Sequence, residues 1–317
     1  MGTSSPTAGR APLRGRRRPA KRRSLKARES RAAWLFLLPS GLHFLVFTVI
    51  ALVASLVIST WQWDLVTPHE SVGLGNYTGL LHDAAFWQSL GITLLYSAIT
   101  IPSGIALGLA IAMALNTKLR GVKVFRFIYF IPYVAPMAAV ALLWRWIYNS
   151  DFGLLNWALS SILPGEIHID WLGTPYLALV AVAAMDVWKN LGWSLTIFTA
   201  GLLAIPQHYY EAAALDGASA WQRFRLITFP LLAPTTFFLV VMGVIGSFQT
   251  FDSIYLMLGD TPGPEAVTYN FYIWSEGFRY QSMGYASALS WVLFLIIGGI
   301  TFIQFKFINK RVNYDIS

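Results

Sequence analysis

Residues 209–234 read YYEAAALDGASAWQRFRLITFPLLAP, and they separate two apolar segments that are each long enough to cross a bilayer. The stretch is polar and alanine-rich, and Pro206 and Pro230 bracket it as a loop over residues 205–230. Its regular composition indicates a folded element between two membrane spans rather than a plain connection.

This loop carries signals for two short helices. Residues 207–215 favour helix, and Asp216-Gly217 favours a turn at its end. Ser219 and Gln222 have the spacing of a capping box, so a second helix is expected to start there and to end near Phe229.

The composition of the chain is that of an integral membrane protein. Of its 317 residues 56% are hydrophobic and 12% are charged, whereas a soluble domain carries roughly a quarter charged residues. The chain has no cysteine, which excludes disulfides, thiolate metal sites and cysteine nucleophiles. The five histidines lack ligand spacing, so no metal site is predicted.

Apolar windows of about 20 residues predict an all-α fold with six transmembrane helices. Glycine and proline recur inside these windows, as neighbouring helices in a bundle allow. The predicted spans are 33–60, 87–115, 125–148, 176–203, 231–258 and 283–306.

Residues 1–32 form a basic segment that is predicted to be disordered, with eleven Arg and Lys against one acid. A nucleic-acid-binding or lipid-binding tail is one interpretation, but a cytosolic tail that fixes orientation is favoured, and no nucleic-acid partner is expected. A cleaved signal peptide fits less well, because the apolar run after the tail is about twice the length of a signal core.

The charge distribution predicts the orientation of the chain. Twenty of its 23 Lys and Arg lie in the tail, in the connection 116–126, in the quoted loop or at the C-terminus, and the opposite connections hold nine acids. By the positive-inside rule both termini and the quoted loop are therefore cytoplasmic. An ordinary interfacial helix or a DNA-reading helix-turn-helix explains this loop less well than a docking element for a cytoplasmic protein does.

The quoted loop resembles the signature of permease subunits of binding-protein-dependent ABC importers, which is Glu-Ala-Ala, three residues, Gly, nine residues and Ile-x-Leu-Pro. Here Phe229 stands where leucine is usual. Residues 36–47 (FLLPSGLHFLVF), 72–97 and 125–148 are similar to the first permease subunit of maltose-type and glycerol-phosphate-type importers, although LGDTPGP at 258–264 departs from the usual Thr-Gly-Gly-Gly-Pro run. The positions that carry the loop signature are Glu211, Ala212, Ala213, Asp216, Gly217, Ala218, Ile227 and Pro230.

The resemblance implies a type I ABC importer permease fold in a bacterial cell membrane. This chain would be one six-span half of a heterodimeric pore, and its loop would be the coupling helix that seats in a cytoplasmic ABC ATPase dimer. ATP and magnesium would be bound by that ATPase, so no cofactor is expected in this chain. An extracytoplasmic solute-binding protein would deliver the substrate from the other side.

Polar residues inside spans 4 and 5 are the candidate substrate site, because such residues are costly in a membrane. Asp186 and Lys189 share a helix face and are expected to neutralise each other, either beside a substrate or as a structural ion pair. An amide with an aromatic ring suits a sugar, and the sugar contacts of maltose-type permeases resemble these two places. The candidates are Asp186, Lys189, Asn190, Trp193, Ser247, Gln249, Thr250 and Asp252.

Two classes of transport protein remain open from the residues alone, because the chain has no phosphate-binding loop and no catalytic grouping. The favoured one is an ATP-driven importer of a sugar or sugar derivative that works by alternating access. The alternative is an ion-coupled secondary transporter, which would predict inverted repeats that the sequence does not show. Only Lys189 could neutralise a phosphate in the pore, so a neutral or amino sugar is expected.

Overall fold

The computed structural model describes residue 2 and residues 21–116 and 121–308 of the chain. The chain divides into two compact units, residues 1–55 and 56–317. Many of the basic residues that predict the orientation lie outside the described residues, in 3–20, 117–120 and 309–317.

Most of the described structure is helical, as predicted. The only strands within the described ranges form a two-stranded antiparallel pair, β1 (Trp61–Gln62) and β2 (Glu70–Ser71). The α-helices are α1 (Lys21–Phe44), α2 (Ala51–Ile58), α3 (Gly75–His82), α4 (Ala84–Ala114), α5 (Val122–Val134), α6 (Met137–Ile147), α7 (Leu154–Ile162), α8 (Leu177–Ala204), α9 (Gln207–Leu215), α10 (Ala220–Arg223), α11 (Phe229–Leu231), α12 (Ala233–Phe248), α13 (Asp252–Leu258), α14 (Tyr269–Trp274) and α15 (Met283–Ile308). Shorter helical turns lie at Leu45–Ile50, Phe224–Thr228, Pro264–Ala266 and Ser275–Arg279.

The described part of the first unit is helical from Lys21, so the prediction of disorder over 1–32 is wrong for residues 21–32. Lysine, arginine, alanine and leucine are good helix formers, and extending an existing helix costs far less than starting one. The rest of the predicted tail, apart from residue 2, lies outside the described residues.

Three of the described helical segments are long and apolar enough to cross a membrane: Ala33–Ile58, Ala84–Ala114 and Met283–Lys306. They match predicted spans 1, 2 and 6. Counting each of two sharply bent helix pairs as one span raises the number to five. The sixth, α8, is about 42 Å long at 1.5 Å per residue but is more polar than these, since it carries Asp186 and Lys189.

Predicted span 3 is not one continuous helix. It breaks between α5 and α6, and the two parts meet at 99°. Ala135, which precedes Pro136, is extended at ψ 140°, because the proline ring disfavours helical backbone in the residue before it. The proline also has no N–H to donate to Pro132.

Predicted span 5 is also broken. The second loop helix runs from Ala220 to Leu231, close to its predicted end near Phe229, and bends by 61° into α12, which begins at Ala233. α12 ends at Phe248, and residues 249–251 are not helical. Here the Thr250 carbonyl accepts a hydrogen bond from Thr268 Oγ1 at 3.1 Å, so a tertiary contact replaces a helical one.

The core of the second unit is built around α8, which packs against α4 and α5. Small residues allow the close approach: a Cβ at Gly192 would lie 2.5 Å from the Tyr129 carbonyl oxygen of α5, and one at Gly108 of α4 would lie 2.5 Å from Ser194 Cβ. This packing leaves the polar residues of α8 beside the two broken spans.

Candidate functional site

The loop between α8 and α12 is built as predicted. α9 begins after Pro206, and it ends in a glycine turn, where Gly217 has φ +76°. The Gly217 N–H donates to Ala214 at 3.2 Å and the Ala218 N–H donates to Ala213 at 2.9 Å, which is the Schellman pattern of a helix end. The predicted turn at Asp216-Gly217 is confirmed.

The second loop helix starts with the predicted capping box. Ser219 Oγ accepts from the Gln222 N–H at 3.3 Å, and Gln222 Oε1 accepts from the Ser219 N–H at 2.8 Å. A hydrogen bond of 2.9 Å between the Tyr210 and Thr228 hydroxyls then ties the two arms of the loop together. The pair of helices is therefore fixed before any partner binds.

The outer surface of this loop is open. Glu211 and Ala212 are exposed, and so are three large apolar side chains: Leu215 is 90% exposed, Leu226 is 70% exposed and Trp221 is 66% exposed. Of the other signature positions, Asp216, Gly217 and Pro230 are exposed, whereas Ala213, Ala218 and Ile227 are half-buried. A rigid element that presents apolar side chains around small residues suits contact with another protein.

Asp186 and Lys189 do not form the direct salt bridge expected of an ion pair, although the charge of Lys189 still acts on Asp186. Asp186 is buried and accepts a hydrogen bond from the Tyr96 hydroxyl of α4. Lys189 Nζ donates instead, at 3.1 Å, to the carbonyl of Tyr133, which lies in the last turn of α5. The reason is that both partners come from helices packed on α8, and i,i+3 spacing alone cannot show them.

Asp186 belongs to a polar group that joins spans 2, 4 and 5. Thr250 Oγ1 donates to the Tyr96 hydroxyl at 3.4 Å and lies 3.2 Å from Ser253 Oγ. The structure thus brings together Asp186 and Thr250, two predicted site residues, through Tyr96. The sequence analysis did not predict Tyr96 as a site residue. The one feature that could have indicated it is its hydroxyl group within an otherwise apolar span.

The remaining predicted substrate residues fall into two groups. Ser247 is buried and accepts from Ser97 Oγ at 2.7 Å, and Trp193 stacks on Tyr133 at 5.7 Å, so both hold helices together. The other group is exposed and lies beside the Asp186 group, on α8 or at the break in span 5. It consists of Asn190, Gln249 and Asp252. These three side chains are the ones positioned to meet a ligand.

A second polar cluster lies outside the spans, at the start of α4. Asp83 caps this helix by accepting from the Ala85 N–H at 2.9 Å, and it also accepts from the Tyr272 and Tyr285 hydroxyls at 2.5 Å each. Burial alone would raise the pKa of Asp83, but these hydrogen bonds together bring it below its usual value. Burial, and then the charge of Asp83, raises the pKa of the nearby Glu276.

Comparison with known proteins identifies the chain. Residues 104–314 match the family described as binding-protein-dependent transport system inner membrane component. The chain belongs to this family. Membership of this family favours the ATP-driven importer over the ion-coupled secondary transporter. It also confirms that the chain is a membrane-embedded subunit of a transport system.

The relatives of this permease span nearly its whole length. It is 38% identical over 299 residues to the probable ABC transporter permease protein YesP of Bacillus subtilis, covering 93% of this chain and 96% of that protein. It is 35% identical over 286 residues to the trehalose/maltose transport system permease protein MalF of Thermococcus litoralis, covering 89% of this chain and 95% of that protein.

The fold of the permease matches a solved importer. A chain in the crystal structure of a bacterial alginate ABC transporter, in complex with an alginate pentasaccharide-bound periplasmic protein, has a TM-score of 0.77 and 22% identity, with 90% of this chain and 96% of that chain covered. The predicted type I importer permease fold is thereby confirmed.

Proposed function

We propose that this permease carries a neutral sugar or amino sugar across the membrane by alternating access. The observation that carries the proposal is a set of three exposed polar side chains at the break in span 5. Gln249 lies in the non-helical residues 249–251, Asp252 directly follows them, and Asn190 lies on α8 one turn from Asp186. Non-helical backbone at membrane depth is tolerated where it is buried in protein or lines a water-filled cavity. Exposed amides and a carboxylate at such a break suit the hydroxyl groups of a sugar.

The electrostatics of the site support a neutral or cationic substrate. Two carboxylates, Asp186 and Asp252, lie in this region. Lys189, the one cation that spans 4 and 5 hold within the described residues, already donates to a backbone carbonyl. A phosphate group would meet negative charge without a free cation to neutralise it. Relatives named for trehalose/maltose and for lactose agree with a sugar, whereas two other relatives are named for sn-glycerol-3-phosphate.

The loop over 205–230 is proposed as the coupling helix for a separate ATPase dimer, which would bind ATP and magnesium. A second six-span permease would complete the pore, lipids would surround it, and an extracytoplasmic binding protein would deliver the sugar. The exposed apolar side chains of the loop and its fixed glycine turn support this assignment.

The test is co-purification of the ATPase with loop variants in detergent. Gly217→Val is expected to abolish co-purification while the permease still inserts into the membrane, because valine cannot hold φ +76°. Gly217→Asn is expected to restore it, since asparagine adopts the left-handed conformation. Full ATPase retention in Gly217→Val would refute the coupling role, and no uptake of maltose, trehalose or an amino sugar by the assembled transporter would refute the sugar assignment.

A further inference from the structure

A group of aromatic rings lies directly beyond the break in span 5. The Phe251 and Tyr255 rings are nearly parallel at 24°, with centroids 5.4 Å apart. Trp274 packs against both, 5.4 Å from Phe251 and 5.1 Å from Tyr255. Phe251 is itself at the end of the non-helical segment, so the position of the rings is tied to the break.

One side of this aromatic group packs against the core, and the other side is exposed. Phe271 is buried and lies 5.4 Å from Trp274, while Phe251 and Trp274 are half-buried against the core. Tyr255 is 37% exposed. The phenol ring of Tyr255 is therefore held in a fixed plane by rings behind it while part of its surface stays accessible.

Polar side chains border the exposed ring. Asp252 and Tyr255 are three residues apart on α13 and so share one helix face. The side chains of Asp252 and Gln249 are exposed, and neither has a hydrogen-bond partner among the residues that the structure describes. The Gln249 carbonyl accepts from Asn270 Nδ2 at 2.8 Å, which holds the backbone of this edge in place.

We infer that Tyr255 and Asp252 form a subsite for one pyranose ring of the transported sugar, an inference that rests on the proposed function. The C–H face of the ring stacks on Tyr255, and adjacent hydroxyls donate to the Asp252 carboxylate. The face of an aromatic ring is negative and attracts the weakly positive hydrogens of C–H groups. A carboxylate has two oxygens and can accept from two hydroxyl groups at once. Rings behind Tyr255 reduce the entropy lost on binding, because the platform is already ordered.

The experiment uses the assembled transporter, with both permeases and the ATPase dimer, in nanodiscs with maltose as the probe. Saturation-transfer difference NMR suits weak binding, and it reports which sugar C–H protons touch the protein. Tyr255→Leu is expected to weaken maltose binding by about tenfold and to remove saturation from one ring face. Tyr255→Phe is expected to recover both, and Asp252→Asn is expected to weaken binding by about tenfold without removing that ring contact.

Tyr280→Leu is the matched control, because this tyrosine is also exposed but lies outside the aromatic group, and it is expected to bind maltose as the parent does. Unchanged binding and saturation in Tyr255→Leu would overturn the inference while leaving the proposed function intact. Loss of the second permease from purified Tyr255→Leu would also overturn it, since the patch would then be a subunit interface. Failure of the parent transporter to take up any sugar would instead refute the proposed function.

Discussion

At the scale of single residues, Asp83 shows how one carboxylate can join three elements. Its two oxygens accept from the start of α4, from α14 and from the start of α15. Hydrogen bonds to a charged group stabilise more than neutral ones do. The start of span 2 and the start of span 6 are therefore held together by one side chain.

We expect Asp83→Asn to lower the thermal unfolding temperature, because the amide nitrogen cannot accept a tyrosine hydroxyl and about 1–3 kcal/mol is lost. The folded-state pKa of Asp83 lies below its usual value of 3.8, so its contribution is present above that pH and is lost as the pH falls through the folded pKa. The gap between parent and variant should be constant near neutral pH and shrink in acid. Differential scanning calorimetry of the purified protein at a series of pH values measures this difference in unfolding temperature, with Asp260→Asn, at an exposed aspartate after α13, as control.

Glu276 gives the opposite pH dependence. Its folded-state pKa is raised, first by burial and then by the charge of Asp83, so ionising it costs stability as the pH rises above its usual value of 4.5. Glu276→Gln is expected to raise the unfolding temperature at neutral pH, with a gain that fades in acid. An equal gain at every pH would show that charge burial is not the cause.

At the scale of elements, the two broken spans define the site. The break in span 3 follows from Ala135-Pro136, which the sequence displays, whereas the break in span 5 depends on Thr268 and Asn270 reaching the carbonyls of Thr250 and Gln249. At the break in span 3, Lys189 has a similar role. Its ammonium group caps the end of α5, where the helix dipole favours a cation.

We expect Lys189→Met to destabilise the permease by about 1–3 kcal/mol, because the Tyr133 carbonyl at the end of α5 then loses its partner. Thermal unfolding without any substrate measures this loss. Lys123→Met, at an exposed lysine in the first turn of α5, is the control. Unchanged stability together with altered binding of sn-glycerol-3-phosphate would instead place Lys189 in a substrate site.

At the scale of the whole molecule, the proposed orientation with both termini in the cytoplasm can be tested directly. The chain has no cysteine, so a single introduced one reports alone. In inverted membrane vesicles a membrane-impermeant maleimide is expected to label Ser219→Cys in the loop and not Ser71→Cys at β2, because only the cytoplasmic side faces the reagent. The reverse pattern would contradict the orientation.

The sequence alone determined the membrane class, the limits of spans 1, 2 and 6 and the loop at 205–230, because each rests on local physics. Apolar length, the αL preference of Gly217 and the Ser219–Gln222 capping box act between residues that are near in the chain.

Only the tertiary structure decided which polar residues of the spans pair with one another. Asp186 meets Tyr96 and Lys189 meets Tyr133, both across helix packing that Gly192 and Gly108 make close. A buried polar group binds the nearest available partner in space, and the sequence spacing of Asp186 and Lys189 could not show that each had a better one on another helix.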